Sequence, residues 1–197
     1  AVRFFAFVHR TLHTESMVLL WFNEETKTYR ISIPVQRVAL KSISYDMPIE
    51  RTPHEYLIGS MHSHGSMPAF HSTVDENDEE SFDGIHFTFG GFTQYYLPTQ
   101  FEVSAEAAMH GVRFPLDIPL WLEGVVPIPP PESDKSQSQD FITSWLSPLS
   151  SNSYPQRPKF EFNDHINIFA DSYTPPTEWA QRLQKVYPQT RRSTFHW

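Results

Sequence analysis

All seven glycines of this 197-residue chain lie before Val126, while ten of its 17 prolines lie after it. Charge divides at the same place. Residues 1–126 hold 8 basic and 16 acidic side chains, whereas residues 127–197 hold 7 of each. Two differently composed segments therefore meet near Pro127-Ile128-Pro129-Pro130-Pro131. That stretch and the polar Glu132–Asp140 behind it read as a polyproline and then polar linker. The expected organisation is one domain over 1–126, followed by a Pro-rich linker and C-terminal extension over 127–197.

The chain has no cysteine and 29 aromatic residues. Disordered chains are poor in aromatics, so most of this one is expected to fold. Without cysteine there is no disulfide framework, thiol nucleophile, iron–sulfur cluster or Cys-ligated zinc. Any metal must be held by His, Asp or Glu, and there are 10 histidines to draw on. A net charge of −8 argues against a nucleic-acid partner, whose binders present a basic face. The longest apolar runs, such as Met17–Phe22, are too short to span a bilayer. Ala1 to His13 also lack a secretory apolar core. The expectation is a soluble cytoplasmic protein with no membrane partner.

Patterning predicts mixed α and β. Val2–Val8 is apolar, and Met17–Phe22 is strand-like with a turn at Asn23-Glu24-Glu25. Tyr29–Val35 alternates as a half-buried strand does, and Phe160-Glu161-Phe162 alternates likewise. Ile85–Phe89 is strand-like and stopped by Gly90-Gly91, and Gln94–Val103 is β-prone. Thr73–Phe82 is a candidate short helix, and Asp140–Leu146 is ambiguous. Thr177–Tyr187 follows Pro175-Pro176 and aligns Trp179, Leu183 and Val186, predicting a helix packed through Trp179.

The chemistry concentrates after the apolar run Tyr56–Met61. If that run continues as a strand, His62 and His64 project on one face, because strand side chains alternate. Two neighbouring imidazoles supply neutral nitrogen donors suited to a borderline ion such as zinc. Gly65 and Pro68 turn the chain, and Ser72 and Asp75 follow at i and i+3. Asp75 is then a candidate third ligand. Three protein ligands leave zinc's fourth position for water, the layout of a catalytic site.

His-Ser-His, seven residues, Ser, two residues, Asp resembles the motif of the JAMM (MPN-plus, JAB) zinc isopeptidases, which cleave ubiquitin or ubiquitin-like proteins from conjugates. The resemblance covers roughly residues 1–126. It implies an α/β (α+β) fold, a curved mixed β-sheet flanked by helices, JAMM/cytidine-deaminase-like, with a Pro-rich C-terminal extension. It also implies zinc on His62, His64 and Asp75, with Ser72 donating to the oxyanion. Glu15, just before the strand-like Met17–Phe22, matches the family's general-base glutamate. Glu24, Glu25, Glu50 and Glu55 are rival candidates. The family commonly has Pro after the second His, where this chain has Gly65. That departure leans towards bacterial JAB proteins encoded beside ubiquitin-like and E1-like genes, PRTRC system protein A being one such group. The implied partners are a ubiquitin-like substrate and an E1-like or E2-like conjugation enzyme.

Blander readings stand beside these. His62 and His64 are also compatible with ordinary strand residues whose hydrogen bonds are satisfied. Ser72-Thr73-Val74-Asp75 has the form of a helix capping box, and Glu15 that of a surface carboxylate. The acidic run Asp75–Glu80 reads as a solvated helix start. His71 is a candidate cleft residue, and His86 is expected on its strand facing away from the metal. A non-catalytic ubiquitin-like-binding scaffold, or a RadC-like JAB protein linked to DNA metabolism, are the alternative functions.

Overall fold

The computed structural model describes residues 1–47, 52–70, 82–92, 99–129, 158–165, 167–170 and 172–186. The chain opens with helix α1 (Val2–Leu12) and then strand β1 (Ser16–Asn23). Phe4, Phe5 and Val8 of α1 are fully buried. Phe5, Val8 and Leu12 repeat at helical spacing, a period that the apolar run Val2–Val8 did not by itself reveal. His13 closes the helix in the left-handed conformation, its N–H donating to His9 O at 3.0 Å.

The main sheet curls through β2 (Thr28–Ser32), β1, β5 (Glu55–Ser63), β6 (Gly84–Gly90), β7 (Gln100–Met109), β10 (Lys159–Phe162) and β9 (Val125–Ile128), in that spatial order. A short β8 (Val112–Pro115) also pairs with β7. Only β5 and β6 are parallel in this sheet; its other pairs are antiparallel. A second sheet is ordered β11 (Leu183–Lys185), β3 (Gln36–Ala39), β4 (Ser42–Tyr45). Two short helices, α2 (Ile118–Trp121) and α3 (Thr177–Gln181), complete the described elements. The mixed α and β class expected from patterning is present, with strands dominating.

One face of the main sheet carries Val18, Met61, Phe87, Phe89, Val103, Phe101 and Phe160, which join α1 in a single core. Phe5 meets Phe89 with ring centroids 5.5 Å apart. No described helix is long and apolar enough to cross a membrane.

The division expected at 126/127 falls inside β9, and the described residues beyond it are built into the same sheet and core. Pro127 lies in register with Phe160 on the edge strand β9, a position where a missing N–H leaves no interior ladder bond open. Phe160 and Ile168 are buried in the common core, and Trp179 meets Phe4 edge-on at 5.6 Å. The helix predicted over Thr177–Tyr187 is corrected in its second half. It stops at Gln181, and Leu183–Lys185 instead pairs in parallel with β3. The edge of β3 would otherwise leave its N–H and C=O groups unpaired. Gln36 N–H donates to Arg182 O, and Val186 N–H to Val38 O, both at 2.9 Å. Trp179 packs as expected; Val186 is 43% exposed. The candidate helix Thr73–Phe82 apart from Phe82, the segment Asp140–Leu146 and the acidic run Asp75–Glu80 lie outside the described residues.

Candidate metal centre

β5 continues as a strand through the first histidine. Met17 pairs with His62 on one side and Thr88 pairs with it on the other. His64 extends the ladder one step further, its N–H donating to Phe89 O at 2.7 Å. Alternation therefore places both imidazoles on the same face, and both residues are buried. Their Nε2 atoms stand 3.2 Å apart.

That separation fits a shared metal ion. Two imidazoles at about 2.0–2.1 Å from one tetrahedral zinc place their nitrogens roughly 3.3 Å apart. The protonation pattern fits as well. His64 Nδ1 lies 3.2 Å from the Pro68 carbonyl, which can only accept, so Nδ1 carries the hydrogen and Nε2 keeps its lone pair. Thr88 Oγ1 stands 3.4 Å from His62 Nε2. Among the described residues no group of three His, Asp or Glu forms a metal site. The expected third ligand Asp75, the expected oxyanion donor Ser72, and His71 lie outside the described residues.

The turn after His64 is fastened by backbone bonds. Met67 N–H donates to His64 O, Gly91 N–H to Met67 O, and Phe92 N–H to Gly65 O. Gly65 has φ +59°, which proline, fixed near −65°, cannot adopt. A Cβ at Gly65 would also lie 2.6 Å from His9 Nδ1. A proline after His64, as the resembled motif usually has, would not fit this turn. Gly90 is equally constrained, because a Cβ there would lie 2.3 Å from Met67 O.

Glu15 immediately precedes Ser16, whose register partner is Ser63, between the two histidines. Glu15 is buried, 7% exposed, and its N–H donates to Ala39 O at 3.0 Å. By alternation it belongs with Met17 on the His62 side of the sheet. The rivals lie at the other end of β1 and β5. Glu24 accepts from Tyr56 and sits 3.2 Å from His54 Nδ1, and these hydrogen bonds hold its pKa below the ordinary value. Glu55 pairs with Arg30, whose hydrogen bond likewise lowers its pKa. Glu25 is exposed in the turn after β1, and Glu50 lies outside the described residues.

The expectation for His86 needs correction. His86 stands opposite Ser60 in the parallel pair, so it shares the face of His62 instead of facing away. Its Nδ1 lies 2.9 Å from Ser60 Oγ and its Nε2 3.1 Å from Phe82 O. Both ring nitrogens are engaged, which makes it a buried hydrogen-bonding residue one step along the sheet from the His62–His64 pair.

Three contributors carried little or no sequence signal. Thr88 was legible only through its alternation with His86. The ring of His9, four residues before the end of α1's cap, packs over Gly65. Gln36 is wholly buried, and its side-chain amide accepts from Met17 N–H and donates to Met17 O, each at 2.9 Å. It thereby completes the bonding of β1 where β2 no longer reaches, directly across from His62. Nothing in the pattern around Gln36 marks that role.

A cleft of about 200 Å³ opens beside His64. Its walls come from the end of α1, Thr14, the β3–β4 turn and the loop after His64. In it, burial first and the nearby His13 second lower the pKa of His9 from 6.5. No family model and no curated protein matches the chain.

Proposed function

We propose that this chain is a zinc-dependent isopeptidase or peptidase of JAMM type, cleaving a ubiquitin-like protein from its conjugate or precursor. The observation that carries the reading is the pair of buried imidazoles with Nε2 atoms 3.2 Å apart, at the end of the strand beside Glu15. His64 has its other nitrogen tied to a carbonyl, as metal-bound histidines typically do. The curled sheet, with its parallel β5–β6 pair bearing the histidines, is compatible with the JAMM-like fold that the motif implies.

His62, His64 and Asp75 are the proposed zinc ligands. Zinc in such a site would supply Lewis acidity and a water made far more acidic than bulk water. Glu15 would serve as general base and then general acid, holding a proton and passing it to the departing amine. Ser72 donates a hydrogen bond to the oxygen of the carbonyl as negative charge develops on it. Loss of one such donor costs about 10²–10³ in turnover. The leaving group is a lysine ε-amine or an α-amine. The substrate enters as an extended C-terminal tail. A cytoplasmic location, an E1-like or E2-like partner and a place in the bacterial branch belong to the same proposal.

The test begins with metal content. Purified protein is expected to hold about one zinc per chain and His64→Ala to lose it. The loaded protein is then incubated with fusions of ubiquitin-like proteins, with Glu15→Ala as the inactive control. Cleavage that requires zinc and Glu15 supports the enzyme. Protein that neither retains nor takes up zinc sinks it and leaves the non-catalytic binding module. In that case the 3.2 Å contact is a hydrogen bond between two imidazoles.

A further inference from the structure

We infer that the cleft beside His64 binds a carboxylate group. Its described walls bring Lys41, His9, His13 and Thr14 around one space, with Leu40 and Met67 supplying apolar surface. No Asp or Glu is among the described residues lining it, although the chain carries a net charge of −8. Thr14 makes the strongest demand. It is 3% exposed, and its hydroxyl has no hydrogen-bond partner among the described residues. Buried hydroxyls are normally paired, and an unpaired one is costly.

The chemistry of the walls selects the ligand. Lys41 is a point charge that attracts an anion without imposing bidentate geometry. Thr14 and the imidazoles add hydrogen-bond donors to acceptor oxygens. Leu40 and Met67 suit a short aliphatic stem, as in a glutamate side chain or the end of a peptide. A neutral amide would satisfy Thr14 but leave Lys41 without a counter-charge. His64 and Gly65 border the same space, so the bound carboxylate lies beside the metal pair. Its role as a substrate subsite rests on the hydrolase reading; carboxylate binding itself does not.

The experiment titrates the full chain with N-acetylglutamate α-amide, N-acetylglutamine and N-acetylglutamine amide, following the ring protons of His9 and His13 by NMR. The first offers a side-chain carboxylate, the second a terminal one and the third none. Saturable shifts are expected with a carboxylate probe and not with the neutral amide. The probe that binds identifies the source of the group. Affinity should fall tenfold or more in Lys41→Met and in Thr14→Val, yet stay within twofold in His62→Ala. Lys41 is exposed, so its variant keeps the test valid should Thr14→Val fail to fold. An equal response to the neutral amide, or no saturable shift, overturns the inference. Binding lost in His62→Ala but kept in Lys41→Met overturns it too, because the carboxylate would then sit on the histidine pair. Carboxylate binding by a protein that holds no zinc would sink the hydrolase reading and leave this site standing.

Discussion

Two adjacent rungs of the main sheet are built from opposite chemistry. Val18, Met61, Phe87 and Ala105 stand in register across β1, β5, β6 and β7. One step along, Met17, His62, Thr88 and Ser104 do the same on the other face. All eight are buried. The first rung meets α1 and closes by area alone, since apolar burial has no direction. The second must match donors to acceptors, because a buried polar group left unpaired costs more than an ordinary hydrogen bond gains. The same burial therefore produces stability on one face and a site on the other. A one-residue slip of β5 would exchange the two faces completely, so the register that seals the core also aims His62.

The largest effect should come from breaking the apolar face. Phe89 is 1% exposed and lies among Phe5, Phe87 and Phe101. Phe89→Ala is expected to cost about 3–5 kcal/mol, read as a fall in urea midpoint with little change in slope. A loss under about 1 kcal/mol would mean that α1 does not seal this face.

The comparison sharpens when one residue type is placed on both sides. Met61→Leu conserves volume in the core and should cost less than about 1.5 kcal/mol. His86→Leu leaves the Ser60 hydroxyl and the Phe82 carbonyl without their partners, at about 1–3 kcal/mol each, partly offset by the apolar gain. A net loss of about 2 kcal/mol with zinc content unchanged is the expected result. Equal costs for the two leucines would show that hydrogen bonding contributes nothing special to the polar face.

Much of this contrast was legible in the sequence. Tyr56–Met61 leading into His62, and Ile85–Phe89 ending at Gly90-Gly91, gave two strands with the alternation that separates Met61 and Phe87 from His62 and Thr88. The position of Glu15 before β1 was legible too. The remainder depended on contacts between residues distant in the chain. His86 has the same alternation whether its nitrogens find Ser60 or solvent, so its environment depends on the pairing of β5 with β6. Trp179, Leu183 and Val186 have helical spacing, yet the open edge of β3 captured the second half as a strand. Gln36 bonds a backbone 19 residues away, and no local pattern encodes that. The boundary at 126/127 was drawn from composition, but a proline at a sheet edge obeys the same rules as one in a linker.

The smallest effect is expected where the two faces meet, at His9 on the cleft side of α1. Burial and then the proximity of His13 hold its pKa below 6.5 in the folded chain. The unfolded chain therefore binds a proton on this group more readily than the folded one. Linkage fixes the sign: the contribution of His9 is fully present above pH 6.5 and is lost as pH falls through the lowered folded value. His9→Gln removes that titration while keeping a planar polar side chain. The expected result is a shallower loss of stability below pH 6.5 than in the wild type, measured by urea melts of metal-free protein on both chains. His62 and His64 are present in both, so the difference isolates His9. Superimposable pH profiles would show that protonation of His9 costs the fold nothing, and that the end of α1 belongs to the solvent-facing side of the cleft. A shallower acid limb would show that the apolar packing of α1 extends to the ring lying over Gly65. In that case the helix that seals one face also props the turn beside the His62–His64 pair on the other.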